Sequence, residues 1–167
     1  MLVLRTMTLL LACLSLPGTA WAAGSPAVYG WIEKGLIMPG GVAVKMKLDT
    51  GALTSSMDAR DLHHFKRDGK SWVRFTLQLT DANTDKPVSQ TLERPVERMV
   101  KVRGAGGMEQ RPTVTMSICL GDKVYKEWFT LRDRSKMIYP VLIGRRLLAE
   151  LGAVDSSQTF TVKPACR

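Results

Sequence analysis

Apolar and polar residues alternate with a period of two in several separate segments of the chain. The alternation is clearest in segments 42–48, 73–79 and 114–120. Successive side chains of a β-strand point to opposite faces, so each segment predicts a strand with one buried face. The turn pair Gly121-Asp122 joins the last of these to a further run at 124–131 and predicts a hairpin. This pattern constrains the fold more than any other feature, and it predicts a mainly β structure.

Helical patterns are rare in this sequence. The clearest is Arg145–Leu151, and Gly152 follows it where a left-handed residue would end a helix. A second, short helical turn is predicted near Asp58–Phe65. The sequence contains no repeats and no linker-like tract, so these elements predict one all-β domain with a short C-terminal helix. Its strands are expected to form either two packed layers or a closed barrel.

The first 22 residues have the composition of a secretion signal. The single charge of Arg5 precedes the mostly apolar run Thr6–Leu16, and Ala20-Trp21-Ala22 provides the small residues that signal peptidase recognises. We therefore expect cleavage after Ala22, which leaves residues 23–167 as a single domain in the periplasm or outside the cell. No later segment has the ~20 apolar residues that a membrane span needs.

Cys13 supports a second hypothesis for the N-terminus. Leu10-Leu11-Ala12 precedes this cysteine, as in the signal of a lipoprotein. The apolar stretch before Cys13 is very short, so plain export is the favoured prediction.

Two cysteines, Cys119 and Cys166, remain after removal of the leader. An oxidising compartment allows them to form a disulfide. Two separate thiols fit the sequence equally well, because sequence does not report the distance between them. Both alternatives stay open at this point.

The net charge of +9 allows an anionic partner. The basic residues are scattered among acids, as in LERPVERMVKVRG, which favours a solvated surface of mixed charge. Aromatic residues do not interleave with them as binding of single-stranded nucleic acid requires, so nucleic acid is not an expected partner.

The stretch KMKLDTGALTSS, residues 45–56, contains the strongest candidate for chemistry. Its strand leads directly into Asp49, Thr50 and Gly51. An acid in a turn is common, so a plain turn is one interpretation. The other is a catalytic loop in which a strand presents Asp49 and the Thr50 hydroxyl holds a neighbouring loop. Gly51 would then allow close approach of a substrate or another backbone, because it has no Cβ.

Two further motifs follow in an order that favours the catalytic interpretation. VRGAGGMEQRP, residues 102–112, places three glycines at the expected tip of a hairpin, where backbone amides can reach a ligand. YPVLIGRRLL, residues 139–148, places an apolar run and Gly144 directly before the predicted helix.

Together these motifs resemble the retropepsin-like aspartic peptidases, the single-domain relatives of pepsin. With WVRF, ICLGD and DRSKMIYPVLIGRRLL, the resemblance extends to the bacterial RimK-associated family named for an ATP-dependent zinc protease, over about Gly30–Asp155. The zinc and the ATP of that name have no counterpart in the residues. The sequence has no Walker-type phosphate loop and no HExxH zinc motif, and the adjacent His63 and His64 point in different directions on a strand or helix. We therefore expect no metal and no other cofactor.

The resemblance implies both the fold and the chemistry. It implies a closed acid-protease barrel and an exported aspartic endopeptidase that cleaves a peptide or protein substrate as a homodimer. Each chain supplies one Asp49, so two copies of Asp49, supported by Thr50 and Gly51, form one catalytic site. The alternative is a non-catalytic barrel of the same descent that binds a peptide or a partner protein of the cell envelope.

The resemblance also assigns supporting residues. The substrate-binding set is Ala52, the flap tip Gly104, Ala105, Gly106 and Gly107, and Ile143 with Gly144 packed behind the catalytic loop. Arg145 is expected to anchor the dimer. Its predicted partner is Asp58, because Leu53 occupies the position where many viral relatives have an acid.

Two smaller expectations come from the same resemblance. Ala52 stands where some relatives have a hydroxyl, which predicts a raised pKa of the aspartate pair and activity that extends toward neutral pH. The C-terminal TFTVKPACR is expected to add a terminal strand to the dimer interface.

Overall fold

The chain forms eleven strands and one helix in the residues that the computed structural model describes, 27–104 and 107–166. In chain order these are β1 (Val28–Met38), β2 (Val42–Leu48), β3 (Ser55–Asp58), β4 (Arg60–Arg67), β5 (Lys70–Thr80), β6 (Pro87–Pro95), β7 (Arg98–Gly104), β8 (Gly107–Leu120), β9 (Lys123–Arg132), β10 (Val141–Ile143), α1 (Arg145–Leu151) and β11 (Ala153–Thr159). The predicted leader, residues 1–22, and the flap residues Ala105 and Gly106 lie outside the described residues. In the described part of the chain, no helix is long and apolar enough to cross a membrane.

Six strands close into a barrel. The sheet runs from β1 through β2, β10, β3 and β9 to β8, and each of these strands is hydrogen-bonded to the next. Residues 36–38 of β1 then pair with residues 117–119 of β8, which closes the circle. The predicted all-β fold with a closed retropepsin-like barrel and one short C-terminal helix is confirmed.

The period of two in the sequence determines which side chains fill the interior. The alternating apolar residues of β2, β5 and β8 are all buried: Val42, Val44, Met46, Leu48, Val73, Phe75, Leu77, Leu79, Val114, Met116 and Ile118. Each such side chain contributes roughly 1.5–3 kcal/mol when it is removed from water. The predicted hairpin is also present, as β8 paired with β9.

A second sheet of three strands, β4, β5 and β6, shares its hydrophobic core with the barrel. The helical turn predicted near Asp58–Phe65 is wrong, because Arg60–Arg67 is a strand paired antiparallel with β5. Leu62 and Phe65 have the spacing of three that is typical of a helix face. Hydrogen bonds to β5 satisfy the backbone groups of this segment in a strand instead. Leu62 packs against the core.

The segment after β11 is bound to its own chain through a buried acid. The Glu33 carboxylate accepts hydrogen bonds from the N–H groups of Gly30, Thr161 and Val162. Residues 160–166 form no strand. Within the described residues, TFTVKPACR therefore forms no strand after Thr159, the last residue of β11, and its place in a dimer interface stays a prediction.

The C-terminus is also fixed covalently. Cys119 and Cys166 form a disulfide, with their Cα atoms 6.0 Å apart. Of the two alternatives that the sequence leaves open, a disulfide or two separate thiols, the structure has the disulfide. The bond ties the end of the chain to the end of β8.

Candidate active site

Asp49 lies at the end of β2, where two parallel strands bring the predicted motifs together. β2 and β10 run in parallel, with Leu48 opposite Ile143. The Asp49 N–H donates to the carbonyl oxygen of Ile143 at 2.8 Å. Because the carboxyl ends of parallel strands lie at the same edge of a sheet, Asp49 and Gly144 become neighbours despite their distance in sequence.

Gly144 allows the Asp49 loop (residues 49–54) to pack directly against the start of α1. A Cβ on Gly144 would lie 2.5 Å from the carbonyl carbon of Thr54, closer than side chains tolerate. The Gly144 N–H donates to Ser55 Oγ at 3.1 Å, and the Arg145 N–H donates to the Ala52 carbonyl at 2.8 Å. The backbone around Gly144 therefore holds the loop in a fixed position.

Ile143 and Gly144 are both buried. They pack behind the Asp49 loop, as the resemblance to the retropepsins implies. Neither residue is among those that line the cleft described below, and their part in substrate binding stays a prediction.

The guanidinium of Arg145 holds the outer side of the loop. Its Nη1 donates to the carbonyl oxygens of Thr50 at 2.9 Å and Gly51 at 3.1 Å. The predicted pairing with Asp58 is wrong. Asp58 is buried and accepts a hydrogen bond from the Arg134 N–H at 2.6 Å. Backbone carbonyls of the loop thus take the place of the acid that Arg145 lacks.

The two oxygens of the Asp49 carboxylate have different partners. Oδ1 accepts from the Gly51 N–H at 2.9 Å, and Oδ2 lies 3.1 Å from Lys47 Nζ. Partial burial alone raises the pKa of Asp49, but the hydrogen bond and charge of Lys47 and the N–H groups of Gly51 and Ala52 outweigh it. The pKa of Asp49 therefore lies below its ordinary value. Within a single chain this direction is opposite to the rise predicted from Ala52.

A cleft of about 920 Å³ opens beside the Asp49 loop. Gly51, Ala52 and Leu53 line one part of it, and Val102 of β7 and Arg111 of β8 line another. These two strands form the hairpin predicted as a flap, in which Gly104 pairs with Gly107. The structure therefore brings the Asp49 loop and the glycine-rich hairpin to the same cleft.

Cationic side chains dominate the charge of this cleft. Its described lining contains no acid and five cations: Lys47, Arg111, Arg132, Arg134 and Lys136. Sequence analysis missed this grouping, because the basic residues are interspersed with acids along the chain. They converge only when β8, β9 and the segment before β10 lie side by side.

Arg134 is the most buried of these cations, with 7% of the residue exposed. Its Nε donates to the Tyr139 carbonyl at 3.0 Å, and its Nη1 lies 3.4 Å from Ser56 Oγ. Burial and the neighbouring charge of Arg132 lower the pKa of Arg134. Among the described ion pairs, none includes Arg134. This guanidinium is therefore suited to receive an anionic group.

Metal ligands are not grouped in the described residues. His63 and His64 are exposed on β4, and the His63 ring stacks on Phe65. Within 27–104 and 107–166, no three His, Cys, Asp or Glu side chains come together in a way that could hold a metal ion.

Curated relatives are similar to most of this chain but are much longer. A protein of Shewanella pealeana described as "Probable alpha-L-glutamate ligase" is 33% identical over 118 residues, and one of the same description from Desulfotalea psychrophila is 31% identical over 115 residues. The matches cover 71% and 68% of this chain, but only 26% and 24% of the two relatives. The chain thus spans about a quarter of the length of these proteins.

A solved structure and a family match bear on the fold. The crystal structure of Lpg0085, a Legionella pneumophila protein of unknown function, has a TM-score of 0.71 and 32% identity, and covers 83% of this chain and 100% of its own. Residues 28–165 match the RimB-like family, described as "Retropepsin-like aspartic endopeptidase RimB". These matches give no support to the zinc protease of the family name considered above. The chain belongs to the RimB-like family of retropepsin-like aspartic endopeptidases.

Proposed function

We propose that this protein is an aspartic endopeptidase whose catalytic site consists of two Asp49 carboxylates from two copies of the chain. The observation that carries the proposal is the Asp49 loop itself. One such loop per chain presents a single carboxylate beside the cleft, and β10 and α1 hold it in place. A second carboxylate must come from a second copy, related by a two-fold axis.

The chemistry then follows from the pair of acids. Two adjacent carboxylates cannot both ionise readily, so they share one proton. The ionised carboxylate takes a proton from water while the water oxygen attacks the peptide carbonyl carbon. The protonated carboxyl donates its proton to the carbonyl oxygen. When the C–N bond breaks, a proton passes to the leaving nitrogen.

Other residues have supporting roles in this proposal. Thr50 is exposed on the Asp49 loop, where it can contact the same loop of the second copy. Gly51 and Ala52 line the cleft and leave room for the substrate backbone. The hairpin that ends at Gly104 and Gly107 covers the substrate.

The charge of the cleft supports acidic peptides as substrates. Five cations and no acid line its described part. One of them, the buried guanidinium of Arg134, belongs to a group that can donate two parallel hydrogen bonds to one carboxylate. The name of the glutamate ligases similar to this chain is consistent with a glutamate-rich peptide. We therefore include glutamate-rich segments in the proposed substrate.

The proposal places this activity outside the cytoplasm. Residues 1–22 have the features of a cleavable secretion signal. The disulfide between Cys119 and Cys166 supports an oxidising compartment. We propose the periplasm, or the exterior of the cell, as the site of action.

The direct test compares the wild-type chain with Asp49→Asn on a peptide library that contains matched glutamate-rich and glutamine-rich members. We expect cleavage of glutamate-rich peptides by the wild type, inhibition by pepstatin, and loss of at least about 100-fold in kcat for Asp49→Asn. Asp68→Asn, in the turn between β4 and β5, is the matched control and retains activity. If the wild type binds such peptides without cleaving any peptide, the chain is the non-catalytic binding module instead.

A further inference from the structure

We propose that Lys47 is a positioning residue for Asp49 and sets the pH range in which the pair of Asp49 carboxylates is active. This inference rests on the proposed function. It concerns a residue that the retropepsin resemblance does not assign. The carrying observation is the 3.1 Å contact between Lys47 Nζ and Asp49 Oδ2.

The backbone of Lys47 is fixed from both sides. Lys47 lies in β2, opposite Ile32 of β1 and Leu142 of β10. Its neighbours Met46 and Leu48 point into the core. Because strand side chains alternate, Lys47 and Asp49 point to the same side of the chain, and Lys47 also lines the cleft. The ammonium can therefore reach the carboxylate without any change in the backbone.

Other cations lie on the elements around the Asp49 loop and the cleft, and none of them forms a described ion pair with Asp49. Arg145 of α1 donates to loop carbonyls, and Arg111 of β8 pairs with Glu109 at 2.7 Å. Arg132 of β9 lines the cleft wall together with Lys136.

The buried Arg134 is the remaining cation that acts on Asp49. The two charges interact, but Arg134 makes its hydrogen bonds with Tyr139 and Ser56. Asp58, the buried acid nearby, accepts from the Arg134 backbone. Among the described residues, Lys47 is the cation paired directly with Asp49.

A fixed ammonium changes what a carboxylate pair can do. In a two-fold arrangement, two copies of Lys47 flank two copies of Asp49. Positive charge favours the ionised carboxylate, so the pair loses its shared proton at a lower pH than it would alone. Lys47 therefore shifts the active range toward lower pH and opposes the shift expected from Ala52. Its hydrogen bond also fixes Oδ2, which leaves Oδ1 with the Gly51 N–H.

The test measures two quantities for Lys47→Met, Lys47→Arg and the control Lys45→Met. Lys45 lies two residues earlier in the same strand and is exposed, so its removal deletes the same charge away from Asp49. The first quantity is the pH profile of kcat/KM for peptide cleavage. The second is the pKa of the Asp49 carboxyl in the purified chain by NMR, which requires no activity.

We expect Lys47→Met to move both the profile and the Asp49 pKa upward, because the ammonium that favours the ionised carboxylate is lost. Lys47→Arg keeps the positive charge and Lys45→Met leaves Lys47 in place, so in both variants the Asp49 pKa should stay close to its wild-type value. An unchanged Asp49 pKa in Lys47→Met overturns the inference, whatever the activity. If the Asp49 pKa rises in Lys47→Met but the wild-type chain cleaves no peptide, the proposed function is wrong, whereas the coupling between Lys47 and Asp49 stands.

Discussion

The floor and the roof of the cleft are held in different ways. The floor is the Asp49 loop, which donates a hydrogen bond to the Ile143 carbonyl, accepts hydrogen bonds from Arg145 and packs on the buried Gly144. The roof is the β7–β8 hairpin. Among the described strands, β7 is the last of its sheet and is paired with β8, and residues 107–110 are exposed. The acid is thus fixed in place, whereas the hairpin proposed to cover the substrate has an exposed end.

The largest expected effect comes from disturbing the floor with Gly144→Ala. The new Cβ would meet the backbone of Thr54 at 2.5–2.8 Å, and backbone cannot move aside as a side chain can. We expect the free energy of unfolding to fall by about 3 kcal/mol and peptide cleavage to be lost. Urea unfolding and a peptidase assay measure the two effects. A Gly144→Ala chain with wild-type stability would contradict the described packing of the loop.

A smaller effect is expected in the roof from Gly107→Ala. Apart from its chain neighbours, no atom of the described residues lies within 4 Å of the position of the new Cβ, but the backbone φ is +100°. The cost is therefore strain alone, about 1–2 kcal/mol. We expect kcat/KM to fall as well, since we propose that the hairpin covers the substrate.

The matched control for this variant is Gly69→Ala, in the turn between β4 and β5. Gly69 has a φ of +73° and likewise no neighbour within 4 Å, so its strain is similar. Stability should fall in both variants, while kcat/KM should fall only in Gly107→Ala. An equal loss of kcat/KM in the two variants would show that the hairpin tip has no specific part in catalysis.

The smallest expected effect on stability comes from Arg145→Met. The substitution removes two hydrogen bonds to the carbonyls of Thr50 and Gly51, at a cost of about 1 kcal/mol. The loop is then less well positioned, so we expect kcat to fall roughly tenfold. Arg146→Met, the neighbouring position on α1, serves as control. An Arg145→Met enzyme with wild-type kcat would show that the remaining contacts of the floor are sufficient.

The sequence predicts the strands with alternating apolar residues and their buried faces well, because burial follows the strand period. β2, β5 and β8 each have one apolar face, and each face is buried. The segment predicted as a helical turn near Asp58–Phe65 is the strand β4 instead, and its pairing with β5 decides the matter. A local sequence pattern predicts secondary structure well in a long, regularly alternating segment. In a short segment, pairing with a neighbouring strand overrides the local pattern.

Some contacts of the candidate site can likewise be predicted from the sequence, and others cannot. The contact between the Asp49 loop and Gly144 is implied by the resemblance to the retropepsins. The spacing of two between Lys47 and Asp49 is also visible in the sequence, since such residues share a strand face. Arg111, Arg132 and Arg134 come together only in the fold, so their common cleft could not be predicted. The predicted partner of Arg145 is wrong because every residue has a backbone carbonyl, so the sequence does not show which carbonyls accept from a side chain.

The central claim is that each chain supplies half of an active centre. The most direct measurement mixes wild-type chains with Asp49→Asn chains, unfolds and refolds them together, and records peptide cleavage per wild-type chain. We predict that this activity drops to about half at an equal ratio, as random pairing of subunits requires, and approaches zero in a large excess of the variant. Constant activity per wild-type chain at every ratio would show that one chain cleaves peptides by itself, and it would contradict the account.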